Sequence, residues 1–231
     1  MRQRARPTQE RAAQTRRLLL DTALALLDRH GYARLTTTAV TERAHVSTGT
    51  FYRYFSSKAE ILLELRDEAV RAISDDLMVS VVSALDADVD AAMRSIVETL
   101  VDGFERHRAV ILAMVNQMPA GHNANVLPEI EADLHQLASL LPRRHRPDLS
   151  APQLEAVVFM TMGVLVSTCL RIALQRPPEV DRDELVDLAV HMLVAGLGSP
   201  AGRRRRTSTG SACPPTCRPP SSRWSPCTAP T

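Results

Sequence analysis

Aromatic residues are scarce in this chain: one Trp, three Tyr and four Phe in 231 positions. Ala, Leu and Val dominate instead, which favours helices over sheets. No segment alternates apolar and polar residues as a half-buried strand does. Cysteine is nearly missing from the body. Only Cys169 lies there, inside an apolar stretch, while Cys213, Cys217 and Cys227 lie near the C-terminus. No pair has zinc-ligand spacing, and nothing implies a disulfide framework. The N-terminus has no apolar signal region. The longest apolar run, Ala156 to Leu170 between Glu155 and Arg171, is shorter than the ~20 residues of a membrane span. A cytoplasmic protein without membrane contact is therefore expected. There is no phosphate-cradling glycine loop, no His pair at i and i+4 and no nucleophile elbow. Glu105 and His107 are two apart and do not share a helix face. An enzyme is excluded on these grounds, and no cofactor or metal is expected.

Lysine is the scarcest charged residue. Lys58 stands alone among 28 basic residues, the rest being arginine. The net charge of +2 hides an asymmetry. Residues 1–60 carry eleven Lys/Arg against five Asp/Glu, residues 61–198 eleven Arg against twenty-one acids, and residues 199–231 six Arg and no acid. A basic head on an acidic body suggests that one end meets a polyanion, although a basic arm can also be merely solvated.

Residues 1–9 are basic and polar, and a disordered arm is expected there. Leu19, Ala23, Leu26 and Leu27 repeat at helical spacing within a helix from about Arg11 to Arg29, which Gly31 ends. One of Thr36, Thr37 or Thr38 caps a short helix reaching about Ala44. A tight turn at His45-Val46-Ser47 leads to a very short helix through Phe55, capped by Ser47 or Thr48. Ser57 and Glu60 form a capping-box pattern opening a helix to about Leu85. Further helices are expected over Asp88–Arg106, Arg108–Met118, Leu127–Leu141, Pro152–Leu174 and Asp181–Leu197, with loops at 119–125 and 142–147. The helix Pro152–Leu174 is apolar almost all round and reads as buried. From Ser199 the chain holds seven Pro, six Arg and no Leu, Ile, Val or Phe; such a segment cannot form a core and is expected to be a disordered tail.

Two short helices crossing through a tight turn can place the second in the DNA major groove, which is about 12 Å wide. That helix must be slim at its N-terminal end and anchored behind. Thr48-Gly49-Thr50 is slim. Phe51 and Phe55, at i and i+4, share a face that can bury, with Val40 and Val46 placed to join the same core. Tyr52, Arg53 and Tyr54 point elsewhere, with polar tips able to reach phosphates. Ser47 caps the helix or also touches DNA.

The runs Leu35-Thr36-Thr37-Thr38 and Ala44 to Lys58, with Gly31-Tyr32 closing the helix before them, resemble the DNA-binding domain of the tetracycline-repressor (TetR/AcrR) family over about fifty residues. The resemblance implies an all-α fold: a three-helix helix-turn-helix domain over 10–57, and a helical ligand-binding and dimerisation domain over 58–198. It implies that Thr37, Tyr52 and Lys58 contact phosphate, that Thr48, Gly49 and Thr50 face the bases, and that Tyr54 lies near the backbone. His45 stands where the family often has glycine, so a positive φ there would carry strain.

The resemblance further implies a homodimer joined through the last two helices. Gly163, Ser167, Leu185, Leu188, Ala189 and Met192 are the candidate interface residues. It implies a repressor that binds a pseudo-palindromic operator in double-stranded DNA and is released by a small hydrophobic effector. Phe104, His107, Met114, Asn116, Met118, Phe159, Met160 and Met162 are the candidate pocket residues, because methionine and aromatic side chains suit an adaptable apolar site. His107 and Asn116 would be its polar anchors. The alternatives are an activator or global DNA binder without ligand, and a helical protein-interaction module.

Overall fold

The computed structural model describes residues 5–117, 135 and 138–198. Met118, most of the helix expected over 127–141 and the tail from Ser199 lie outside them. Every regular element among the described residues is helical.

Helix α1 (Ala5–His30) begins earlier than expected. Residues 5–9 continue it instead of forming an arm, since Ala, Arg and Gln are good helix formers and a proline is tolerated in a first turn. Gly31 ends it with φ 69° and ψ 174°, its N–H donating to the Leu27 carbonyl at 2.9 Å. That backbone region is essentially reserved for glycine. One 3₁₀ turn, Tyr32–Arg34, leads to α2 (Thr37–Arg43) and α3 (Thr48–Tyr54). Thr36 resolves the choice of cap for α2, its hydroxyl accepting from the Ala39 N–H at 3.1 Å.

Helix α4 (Lys58–Ala84) is capped by Ser57, whose Oγ accepts from the Glu60 N–H at 3.2 Å. The return bond of the expected box shifts by one residue: the Glu60 carboxylate accepts from the N–H of Ser56. Helices α5 (Val89–Arg106) and α6 (Arg108–Gln117) follow, broken at His107. Helix α7 (Leu140–His145) replaces part of the loop expected at 142–147. Pro142 lies in its first turn, where a missing N–H loses no bond. Helices α8 (Ala151–Gln175) and α9 (Arg182–Gly198) complete the body.

Two apolar cores form. The first joins Leu19, Leu20 and Ala23 of α1 to Leu35, Val40, Phe51 and Phe55, and takes in Ile61, Leu62 and Leu65 of α4 with Val110, Ala113 and Met114 of α6. Apolar contact thus crosses the boundary expected at residue 57, because α6 packs back on α1 and α4. The second is built by the rest of α4, α5, α8 and α9. Gly103 lets α5 approach α4 closely; a Cβ there would lie 3.0 Å from Ile73 Cγ1.

Helix α8 departs from the expectation of full burial. Val158, Met162, Leu165, Val166 and Cys169 face the core, but Phe159 is 70% exposed and Met160 62%. Its neighbours cover one face of a helix that is apolar on all of them. By length and composition α8 could cross a membrane; its inward face is instead part of the core.

Candidate nucleic-acid interface

The turn between α2 and α3 is closed by backbone bonds. The His45 N–H donates to the Glu42 carbonyl at 3.2 Å and the Val46 N–H to the Thr41 carbonyl at 3.0 Å. That pair of bonds needs a left-handed residue between them. His45 supplies it with φ 54° and is the only non-glycine at positive φ among the described residues. The strain expected at this position is present.

Ser47 is the cap of α3. Its Oγ accepts from the Thr50 N–H at 3.1 Å and lies 2.9 Å from Thr50 Oγ1. These bonds fix the direction in which the Thr50 hydroxyl points. Behind them, Phe51 and Phe55 are fully buried, with ring centroids 5.8 Å apart. The helix is pinned from behind while Ser47, Thr48 and Gly49 stand in solvent. A Cβ on Gly49 would meet only Ser47 Oγ at 3.8 Å. No close contact with a described residue demands glycine there.

Tyr52 is 57% exposed and rests edge-on against Phe51 at 5.6 Å. Its hydroxyl end is free to reach outward. Arg53 is exposed and enters no ion pair with a described residue. Tyr54 differs from its neighbours: it is half-buried and packs against the N-terminal core. Thr37 is half-buried at the start of α2, beside the exposed Thr36 and Thr38. Lys58 opens α4, and its Nζ lies 4.4 Å from the centre of the Tyr32 ring.

Part of the basic excess of residues 1–60 is spent inside the chain. Arg16 pairs with Glu64, and Arg17 with Glu68 at 2.9 Å and with Asp21. The Arg16 guanidinium also lies over the Phe55 ring at 5.5 Å. Hydrogen bonds from Ser56 hold the Glu60 carboxyl below its usual pKa. The charge left for a polyanion is therefore smaller than composition implies, and Lys58 and Arg53 are among the cations that enter no ion pair with a described residue. Sequence reasoning had no signal for the contact of Lys58 with Tyr32, because the two residues lie on either side of the helix-turn-helix.

The candidate effector residues are not brought together. Phe104 and Met162 are buried in the body core, and Met114 in the N-terminal core. His107 is half-buried at the break between α5 and α6, and its Nε2 is buried without a hydrogen-bond partner among the described residues. Burial, with the Arg106 charge beside it, pushes its pKa below the usual value. Phe159 and Met160 stand on the exposed face of α8. Asn116 lies on α6, its side chain outside the described set, as is Met118. Of the candidate interface residues, Gly163, Ser167, Leu188 and Met192 are exposed and Leu185 is half-buried, whereas Ala189 turns into the core. Cys169 is fully buried, and desolvation pushes its thiol up to about 12, so it is no nucleophile.

Two family models match the chain: the model of bacterial regulatory proteins of the tetR family over residues 19–65, and that of the tetracyclin repressor-like C-terminal domain over residues 88–197. The HTH-type transcriptional repressor KstR of Rhodococcus jostii is 48% identical over 48 residues, which cover 21% of this chain and 23% of that protein. The chain thus matches about a quarter of such relatives' length. An uncharacterized HTH-type transcriptional regulator of Mycobacterium bovis is 24% identical over 199 residues, covering 84% of this chain and all of its own. A tetR-family regulator structure from Syntrophomonas wolfei superposes with a TM-score of 0.60 at 14% identity, covering 82% of this chain and 98% of that one. At that identity the likeness speaks for the fold alone.

Proposed function

Because the chain belongs to the TetR family of bacterial regulatory proteins and is a DNA-binding regulator, not an enzyme, we propose that it is a homodimeric repressor released from a pseudo-palindromic operator by a small hydrophobic effector. The observation that carries the DNA half is the construction of α3. Ser47, Thr48 and Gly49 present a slim polar end, and Phe51 and Phe55 anchor it with no exposed ring. In this reading Thr48, Gly49 and Thr50 face base edges, while Thr37, Tyr52, Arg53 and Lys58 hold phosphates. Tyr54 contributes mainly by packing the wall behind them.

The dimer reading is supported by the apolar faces left open on α8 and α9. Phe159, Met160 and Val164 on one, and Leu188 and Met192 on the other, are large apolar side chains 43–70% exposed, and exposed apolar patches mark interaction sites. Gly163 adds a point of close approach, since a Cβ there meets nothing within 4 Å. In a two-fold symmetric dimer the two α3 helices would meet half-sites ~34–36 Å apart. The effector reading is supported by His107, whose buried Nε2 has no partner among the described residues and is able to anchor one end of an apolar molecule. A coupling of ~1–3 kcal/mol would give roughly 5- to 150-fold loss of operator affinity.

The test is a mobility-shift titration against the DNA flanking the protein's own gene, at moderate salt. A sequence-specific shift with dimer stoichiometry is expected. Equal affinity for scrambled DNA would favour the global binder, and no shift would sink the repressor reading.

A further inference from the structure

Lys58 occupies an electrostatically awkward place. It is the first residue of α4, where the helix dipole is positive and disfavours a cation. It forms no ion pair with any described carboxylate. The arginines of α1 that face the same helix are treated differently, Arg16 and Arg17 being matched by Glu64 and Glu68. What Lys58 has instead is the face of Tyr32, with Nζ 4.4 Å from the ring centre. An aromatic face attracts an ammonium through its quadrupole and carries no net charge. It can fix the position of a cation without cancelling it, which a carboxylate cannot do.

Tyr32 is itself well held. Gly31 turns the chain sharply before it, and the Tyr32 carbonyl accepts from the Leu35 N–H at 3.0 Å in the 3₁₀ turn. Its ring packs against the N-terminal core. It also borders a cavity of about 320 Å³ lined by Arg108, Ala109 and Leu112 of α6.

We propose that Tyr32 is a positioning residue for DNA binding: its ring holds the ammonium of Lys58, uncancelled, in place for a backbone phosphate. The proposal rests on the DNA reading given above, and the uniqueness of Lys58 lets the two be tested apart. Reductive methylation of the full-length protein with carbon-13 formaldehyde keeps the charge and labels only Lys58 and the N-terminal amine. The Lys58 methyl signal is expected upfield of an ordinary dimethyl-lysine, shifted by the ring current. Tyr32→Leu should return it to the ordinary position, and Tyr32→Phe should leave it shifted.

The second arm is fluorescence anisotropy with two labelled duplexes, one carrying the DNA upstream of the protein's own gene and one scrambled, over a range of salt. Tyr32→Leu should weaken both by roughly two- to fivefold and flatten the salt dependence. Tyr32→Phe should restore both, and Tyr32→Leu should have no further effect in a Lys58→Ala background. An unshifted Lys58 signal in the wild type overturns the role of Tyr32 while leaving the DNA reading intact. So does an undiminished Tyr32→Leu effect in the Lys58→Ala background, since Tyr32 would then act through the fold. A wild type that binds neither duplex overturns the DNA reading and the proposal with it, even if the ring shift is present.

Discussion

The surface of α3 and the surface formed by α8 and α9 solve opposite problems. The first hides both of its phenylalanines, with Phe51 and Phe55 at most 1% exposed, and presents hydroxyls, a glycine, an arginine and the tyrosine ring of Tyr52. The second leaves Phe159, Met160 and Met192 about 60–70% exposed in a segment whose overall charge is strongly acidic. A polar surface over a closed core suits a partner that is itself charged and hydrated, such as duplex DNA. An open apolar surface is stable in water only when something apolar covers it. Under the function proposed above, the two surfaces meet two different kinds of partner.

The largest effect expected from breaking this contrast is on folding. Phe51→Ala removes a fully buried ring and should cost about 3–5 kcal/mol of stability, measured by urea or thermal unfolding. Phe159→Ala, the same change on the open face, should cost the isolated protomer little. Similar losses at both positions, in protein dilute enough to be monomeric, would dissolve the contrast.

Next in size is association. Phe159→Asp with Met192→Asp places unpaired charges on the open face. If a second copy covers it, burying an unpaired charge costs ~2 kcal/mol or more, so the dimer should weaken by roughly thirtyfold or more. Light scattering across a dilution series would register it, with helix content by circular dichroism unchanged. Undiminished dimerisation would place the interface elsewhere.

Gly49→Ala sharpens the comparison because stability and function should move in opposite directions. Alanine is the better helix former by up to about 1 kcal/mol, and the added methyl has room inside the chain. Thermal stability should hold or rise slightly, while operator affinity falls because the methyl intrudes on the groove side. Unchanged affinity would show that Gly49 does not face DNA.

The reading unit was the more legible of the two regions for a physical reason. A groove of fixed width demands a slim helix end, a tight turn and buried anchors, and each leaves a mark in residue type: Thr48-Gly49-Thr50, His45-Val46, Phe51 and Phe55. Even the positive φ at His45 follows from the turn. The body leaves weaker marks. Phe159 and Met162 look alike as apolar residues three apart on one helix, yet one is open and the other buried. Only the placement of α5 and α9 decides between them. The loop expected at 142–147 is partly helix instead, because Pro142 falls in the first turn of α7, where a proline opens a helix rather than breaking it. The contact of Tyr32 with Lys58 was illegible because it depends on how α1 and α4 come together in space.

The smallest effect concerns His107, where the body meets α6. Burial, then the charge of Arg106, lowers its pKa in the folded protein, with Asp76 opposing. A histidine whose folded pKa is depressed binds fewer protons folded than unfolded just below its ordinary value. Its contribution is therefore full above about pH 6.5 and is lost as the pH falls through the folded pKa. The group is only half-buried, so water screens it and the effect is modest. His107→Gln should flatten the stability profile on the acid side of pH 6.5 and leave it unchanged near neutrality. Should an effector use His107 as its polar anchor, its affinity would change with pH across the same acid range in the wild type and lose that dependence in the variant, which separates a ligand contact from a histidine that matters only to the fold.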